Sequence, residues 1–399
     1  MVVNQDLTNE KIVVAGGTGF IGSRVVRKLV KEGVNPKNIR VIYYPGSLTT
    51  ALDDLPVELY PLDILDSEKI PDAFNGFSYL FYLIGNTAMD SKSKRIQWLI
   101  NVEGTRNMLE NCQDFEKIVY TSTVNTLGSP NPVGSLGDES SSPYVVERPE
   151  IGKEIPKFHS FDSPDEILEF ADAVHDGSAQ KKWWKRIGIG YFDSKLAAQE
   201  LVNRAYKDHG FSIVSVLPGQ NYGPGDDMIG NGLYLLRIYD NSMPGYTKGG
   251  GNPCMHVDDQ ANGHYLAMLK GKEGERYIIT GLEEDNLYLK DKLRIITEVV
   301  QEKQPDRKIK VPTFGIGKKV GWFVGLLFDF ISKFKKDPMP VGRASIRAGG
   351  FTNFYSYHKA EKELGYKPKR TFRQAVDEMY EYYKEIGYLG MKKRIGLEG

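Results

Sequence analysis

The chain has 399 residues, 40% of them hydrophobic and 26% charged, enough for a large α/β core and a second lobe. Its 52 basic residues balance its 52 acidic ones, so no basic excess marks a nucleic-acid binder. Cys112 and Cys254 fit no metal-binding or redox spacing; they read as reduced, structural thiols of a cytoplasmic protein, and no metal site is expected.

Residues 1–11 are polar and mixed in charge, without the apolar run of a signal peptide. A buried strand is predicted over 11–15, then glycines, then a helix over 20–31. Further strands are predicted at 39–43, 57–61, 79–84, 117–121 and 213–217, with helices at 95–111 and 191–208. Apolar runs alternating with helical periods specify βαβ units and a doubly wound parallel sheet covered on both faces. After Pro218 glycine-rich turns take over. A strand-and-helix return is predicted at 255–269, a strand at 276–280, and a mostly helical remainder to Gly399. The expected division is a dinucleotide-binding domain over 1–218 and a smaller, mostly helical substrate lobe over 219–399, with 253–281 returning to the first lobe. Residues 129–188 stand out as an insert with one predicted helix, 164–174, and a basic-aromatic cluster at 181–186. A stretch this long without periodicity carries function or mobility.

Gly16, Gly19 and Gly22 are spaced three apart between a predicted strand and a predicted helix. The first permits the tight turn, the second lets the backbone approach a pyrophosphate, and the third lets the helix pack on the sheet. The N–H groups of Phe20, Ile21 and Gly22 then face the phosphates. The cofactor is NAD or NADP. The second strand ends Tyr43-Tyr44-Pro45-Gly46-Ser47, with neither the carboxylate that binds the NAD ribose nor an arginine for the NADP phosphate. Ser47, Arg40 and Lys37 are candidate phosphate partners or else solvated side chains. Asp63 is a candidate acceptor for the adenine amino group, or else a turn carboxylate.

Tyr191 and Lys195 lie one helical turn apart on one face. A phenol with a pKa near ~10 is a poor base at neutral pH, and a neighbouring ammonium is expected to lower it. Such a tyrosine exchanges a proton with a carbonyl or alcohol oxygen while hydride moves. The same lysine can hold the nicotinamide ribose. Thr123, past the fifth strand, can donate to the same substrate oxygen.

With these motifs in this order the chain resembles the extended short-chain dehydrogenase/reductases. The resemblance rests on the loop from Gly16 to Gly22, Leu62-Asp63-Ile64-Leu65-Asp66, Asn101-Val102-Glu103-Gly104-Thr105, Val119 through Thr123, Tyr191 through Lys195, Leu217 through Gly225, and His256-Val257-Asp258-Asp259. It implies catalytic roles for Thr123, Tyr191 and Lys195, and places Asn101 beside the site. It also implies cofactor contacts at Tyr44 and Pro218, and substrate contacts at Gln220 and Asn221. Within the family the chain looks most like the dihydroflavonol-reductase-like and hopanoid-associated epimerase-like branch. That impression comes from Tyr43 through Ser47, Gly274 through Ile278 and Glu363 through Pro368.

Val124-Asn125 follow Thr123 where sugar-nucleotide dehydratases of the family carry Asp-Glu, which sets dehydration aside. Asn252-Pro253-Cys254-Met255 lack the arginine common before His-Val-Asp in sugar-nucleotide epimerases. Arg343 and Arg347 are then candidate diphosphate ligands or salt-bridge partners, and His256 and Asp258 read as a strand end and helix cap. The expected function is hydride transfer between nicotinamide and a secondary alcohol or ketone, on a bulky, lipid-like small molecule. The alternatives are a nucleotide-sugar epimerase with retained NAD and a catalytically silent binding protein. Residues 318–336 combine Trp322, Phe323, Leu326, Leu327 and Phe330 with lysines at both ends. They are a candidate for peripheral membrane contact, or a lid helix over the substrate. A homodimer is a candidate assembly.

Overall fold

The computed structural model describes residues 6–88, 94–128, 130, 132–141, 190–243, 245–334 and 342–390. Seven parallel strands form the central sheet: β1 (Ile12–Ala15), β2 (Ile39–Tyr43), β3 (Glu58–Pro61), β4 (Tyr79–Tyr82), β5 (Lys117–Thr121), β6 (Ile213–Pro218) and a late strand, Arg276–Ile279. Their order is late strand-β6-β5-β4-β1-β2-β3. The chain winds one way from β1 to β3 and the other way from β4 onward. The β1/β4 junction is therefore the switch point, where such sheets open a crevice at their carboxyl edge.

Successive side chains point to opposite faces along each strand, as the pleat demands. Val13 and Ala15 face one helical layer, α2 (residues 94–110) and α3 (Gly190–His209), through Trp98, Val102, Leu196 and Leu201. Ile12 and Val14 face the other, α1 (Phe20–Lys31) and α4 (Val257–Lys270), through Val25, Leu29, Ala261 and Met268. Both faces are apolar because both are covered. Predicted and observed elements agree closely in this lobe. One departure matters: α2 is interrupted by a π-turn at Leu99–Glu103, a device frequent at functional sites.

The second lobe has its own core, in which Tyr222, Leu236, Ile296, Phe372, Met379 and Tyr383 pack together. Its small sheet pairs Gln220–Tyr222 in parallel with Gly251–His256, directly downstream of β6. The helix α5 (Leu289–Lys303) packs in this lobe, and α6 (Lys318–Lys333) packs on α7 (Arg343–Ala348). Of the insert, the described residues up to Ser141 are tied to the fold. Leu136–Gly137 pairs with Phe354–Tyr355. Glu139 accepts a hydrogen bond from the Ile278 N–H at 2.8 Å on the outermost strand. The predicted helix 164–174 and the 181–186 cluster lie outside the described residues.

Candidate active site

The glycine loop is built to admit a pyrophosphate. Gly16 has φ +81°, a left-handed value that favours glycine, and its N–H donates to Ile42 O at 2.8 Å. A Cβ on Gly22 would strike the Gly16 carbonyl, so the third glycine lets α1 close on the loop. Gly19 is the N-cap of α1, and no side chain caps that end. The first-turn amides of Phe20, Ile21 and Gly22 are thus kept for an anion.

The β2 end offers little positive charge. Tyr44 is exposed and starts the Tyr44–Ser47 turn, in which Gly46 has φ +93°. The expectation that Lys37 and Arg40 meet a phosphate is corrected. Lys37 sits in the turn Pro36–Asn38 that precedes β2, at the amino edge of the sheet. Arg40 is near that edge too, paired with Glu58 at 2.9 Å and stacked on Tyr60 and Phe77. Asp63 uses one oxygen to accept from the Leu65 N–H at 3.0 Å, as a turn carboxylate.

The predicted catalytic residues converge at the carboxyl edge of β5. Tyr191, Asp193, Ser194 and Lys195 form the first turns of α3, and Lys195 is buried. Its Nζ donates to Thr121 O at 2.8 Å, lies 3.4 Å from the Tyr120 hydroxyl and rides over the Tyr120 ring at 5.0 Å. Burial pulls its pKa down to about 7. Thr123 caps the turn Val124–Thr126 and accepts from Asn125 Nδ2 at 3.1 Å. The Thr123 hydroxyl neighbours the Tyr191 phenol.

One electrostatic expectation fails. Burial pushes the Tyr191 phenol up to about 12, and the neighbouring Thr123 hydroxyl only partly offsets this. The Lys195 ammonium, committed to Thr121 and Tyr120, does not lower it.

Asn101 sits at the centre of the π-turn, where the extra residue turns its amide inward. Its Oδ1 accepts from the Asn86 N–H at 2.8 Å. Its Nδ2 donates to Asn86 O at 3.0 Å and to Ser194 Oγ at 2.9 Å. One side chain thus ties the loop after β4 to the start of α3, next to Lys195.

On the substrate side, Pro218 ends β6 beside Ile279. Gln220 accepts from Lys292 Nζ at 2.6 Å. Asn221 donates to Gly219 O at 3.2 Å and keeps a buried Oδ1 without a partner. His256 caps α4, accepting from the Asp258 N–H at 3.0 Å, and Asp258 pairs with Arg24 at 2.5 Å. The cap reading of this motif holds. Arg343 pairs with Asp329 at 2.6 Å, the salt-bridge reading. Cys112 and Cys254 are buried free thiols whose pKa burial raises, to about 12 and about 11.

Two residues went unnoticed in the sequence, Asn353 and Lys292. Asn125 bridges Thr123 to Asn353, whose Nδ2 lies 3.5 Å from the Asn125 Oδ1. Lys292 is buried beside Cys254 and Gln220, and burial lowers its pKa. Nothing local flags them, because each acts on a partner distant in the chain.

The model of the 3-beta hydroxysteroid dehydrogenase/isomerase family matches residues 13–144, and that of the NAD-dependent epimerase/dehydratase family matches residues 186–280. Both models, and the relatives below, are of the extended short-chain dehydrogenase/reductase type. A relative named putative dihydroflavonol 4-reductase, from Synechocystis sp., is 27% identical over 94% of this chain and 95% of its own length. A 3-beta-hydroxysteroid dehydrogenase of Mycolicibacterium neoaurum is 22% identical over 94% of this chain and 92% of its own. The crystal structure of gox2253 superimposes with a TM-score of 0.71 at 28% identity, covering 96% of this chain and 100% of that one. The chain is accordingly a nicotinamide-dependent enzyme of this family, an oxidoreductase or epimerase, and its glycine loop fits the dinucleotide. Among the described residues, no helix is long and apolar enough to cross a membrane.

Proposed function

We propose that the enzyme interconverts a secondary alcohol and a ketone on a bulky, apolar skeleton, with NAD rather than NADP. The observation that carries this is the trio at the β5 edge: Tyr191 next to Thr123, beside a buried Lys195 anchored on Thr121 O. Gly16, Gly19, Phe20, Ile21 and Gly22 would hold the pyrophosphate, with Tyr44 and Asp63 at the adenosine end and Pro218 and Lys195 at the nicotinamide end. When bound, the nicotinamide supplies or accepts the hydride.

In reduction the chain's task is the proton. Thr123 and Tyr191 donate to the ketone oxygen as negative charge develops on it, and the Tyr191 phenol gives up its proton there. Lys195, one turn away and anchored on Thr121 O, would hold the nicotinamide ribose. Oxidation runs the same transfer backwards. Asn101 acts on positioning, holding Ser194 and therefore the first turn of α3.

Three observations favour the apolar substrate. Residues 13–144 match a hydroxysteroid dehydrogenase family model. Phe351 packs against Phe192, next to Tyr191, so the near wall is aromatic. Asn125 stands where dehydratases carry acid, and it spends its amide on Thr123. The NAD preference follows from the β2 end, where Arg40 is held by Glu58 far from Tyr44.

The test is turnover with NAD and NADP against sterol-type alcohols, long-chain ketones and UDP-sugars. Net NADH formation with an apolar alcohol is expected. A retained NAD that epimerises a UDP-sugar without net reduction would overturn the reading.

A further inference from the structure

We propose that α6 is an interfacial helix that docks this enzyme on an anionic lipid surface. It is 16 residues long, roughly 24 Å, and so too short to span a bilayer core of about 30 Å. Its two faces are sorted in an unusual way. Two glycines are its buried contact points: a Cβ on Gly321 would come within 2.8 Å of Ile346 Cγ2, and one on Gly325 within 2.8 Å of the Arg343 backbone. They let α7 lie close, while Trp322, Phe323 and Leu327 point away. Trp322, Phe323, Leu326, Leu327 and Phe330 are all exposed, Phe323 to 66% and Phe330 to 56%. At 100° per residue they form one continuous arc of roughly half the helix circumference. A monomer in water has no use for such an arc.

Charge decides what covers it. The sequence places Lys318 and Lys319 in the first turn and Lys333 in the last. The helix's one acid, Asp329, is neutralised by Arg343 at 2.6 Å. Both ends are therefore basic around an aromatic-aliphatic centre. A second copy is a poor cover, because pairing two such helices, parallel or antiparallel, sets lysine ends against lysine ends. A layer of anionic headgroups accepts both ends at once, while Trp322 and the phenylalanines enter the headgroup–acyl boundary.

The helix also sits beside the chemistry. Ala344, Ala348 and Phe351, on and just after α7, pack into the core that holds Tyr191 and Phe192. A membrane-borne apolar alcohol would thus be presented at the catalytic end. Docking itself does not depend on that substrate reading, because it is measured without turnover.

The test is flotation of the full chain with vesicles of equimolar phosphatidylglycerol and phosphatidylcholine, against phosphatidylcholine alone. Flotation with the anionic vesicles is expected, weaker with the neutral ones and falling as salt is added. Phe323→Glu and Leu327→Glu change exposed positions, so an unchanged melting temperature is expected together with at least about a tenfold lower bound fraction. No flotation of the parent chain would overturn the proposal, as would variants that float equally well. A parent dimer in sedimentation velocity that the variants dissociate would overturn it in favour of self-association. Altered KM in the variants without vesicle binding by the parent would overturn it in favour of a lid.

Discussion

Helices α3 and α6 are opposites. The first turns of α3 bury Asp193, Ser194 and Lys195, groups that elsewhere face water. The outer arc of α6 exposes Trp322, Phe323 and Phe330, groups that elsewhere are buried. Each breaks the usual sorting of residues between core and surface, and each break is costly unless something offsets it. For α3 the offset is internal: Thr121 O and Tyr120 receive the lysine, and Asn101 holds Ser194. For α6 no described residue covers the arc, and the proposed offset is an anionic lipid surface. The contrast is between a polar cluster with partners inside the chain and an apolar arc without them among the described residues.

The contrast would break first at Tyr191. Tyr191→Phe is expected to lower kcat by about 10³-fold, within the range of general acid–base catalysis, while cofactor binding followed by fluorescence stays unchanged. Equal losses of binding and turnover would mean a structural role.

Lys195→Met sharpens the claim that α3 carries a burial cost. Burial depresses the Lys195 pKa from 10.5 to about 7. Between those values the unfolded chain binds the proton and the folded chain does not, so this group's contribution to stability rises with pH through that window. The cofactor-free Lys195→Met protein should therefore be more stable than the parent, by on the order of 1–3 kcal/mol below pH 7. The advantage should fade as pH approaches 10.5. Denaturant melts across this range measure it, and a pH-independent difference would contradict the burial account.

Asn101→Ala removes the clamp between the loop after β4 and α3, and about a tenfold to hundredfold loss of kcat is expected with KM little changed. Asn353→Ala loosens Asn125 and through it Thr123; a loss of severalfold is expected, because Thr123 keeps its backbone setting. The smallest effect belongs to α6. Phe323→Glu should leave kcat on a water-soluble ketone within about twofold, because the position is exposed and makes no hydrogen bond or ring contact with Thr123, Tyr191 or Lys195 among the described residues.

Much of this was legible in the sequence. Helix Phe20–Lys31 and strands Ile39–Tyr43 and Lys117–Thr121 match their predicted bounds, because glycine punctuation and apolar runs are local signals. The helix over 95–111 was legible as a helix but its π-turn was not: one inserted residue at Asn101 answers a tertiary demand from Asn86 and Ser194. Lys37 and Arg40 misled because nearness to β2 in sequence does not say which end of the strand a side chain occupies. The Asn125–Asn353 contact joins positions 228 apart, and no periodic pattern encodes that. The raised Tyr191 pKa was hidden for a further reason: spacing brings a lysine near, but only the fold decides where its ammonium points.

The central claim is net hydride transfer to a bulky ketone at this site. It is tested most directly by following the hydride itself, with NADH deuterated at the transferring position and an apolar ketone. The account predicts a released alcohol carrying deuterium at its carbinol carbon, formed by the parent and not by Tyr191→Phe. Deuterium that stays with tightly held cofactor while a sugar nucleotide changes configuration would contradict it.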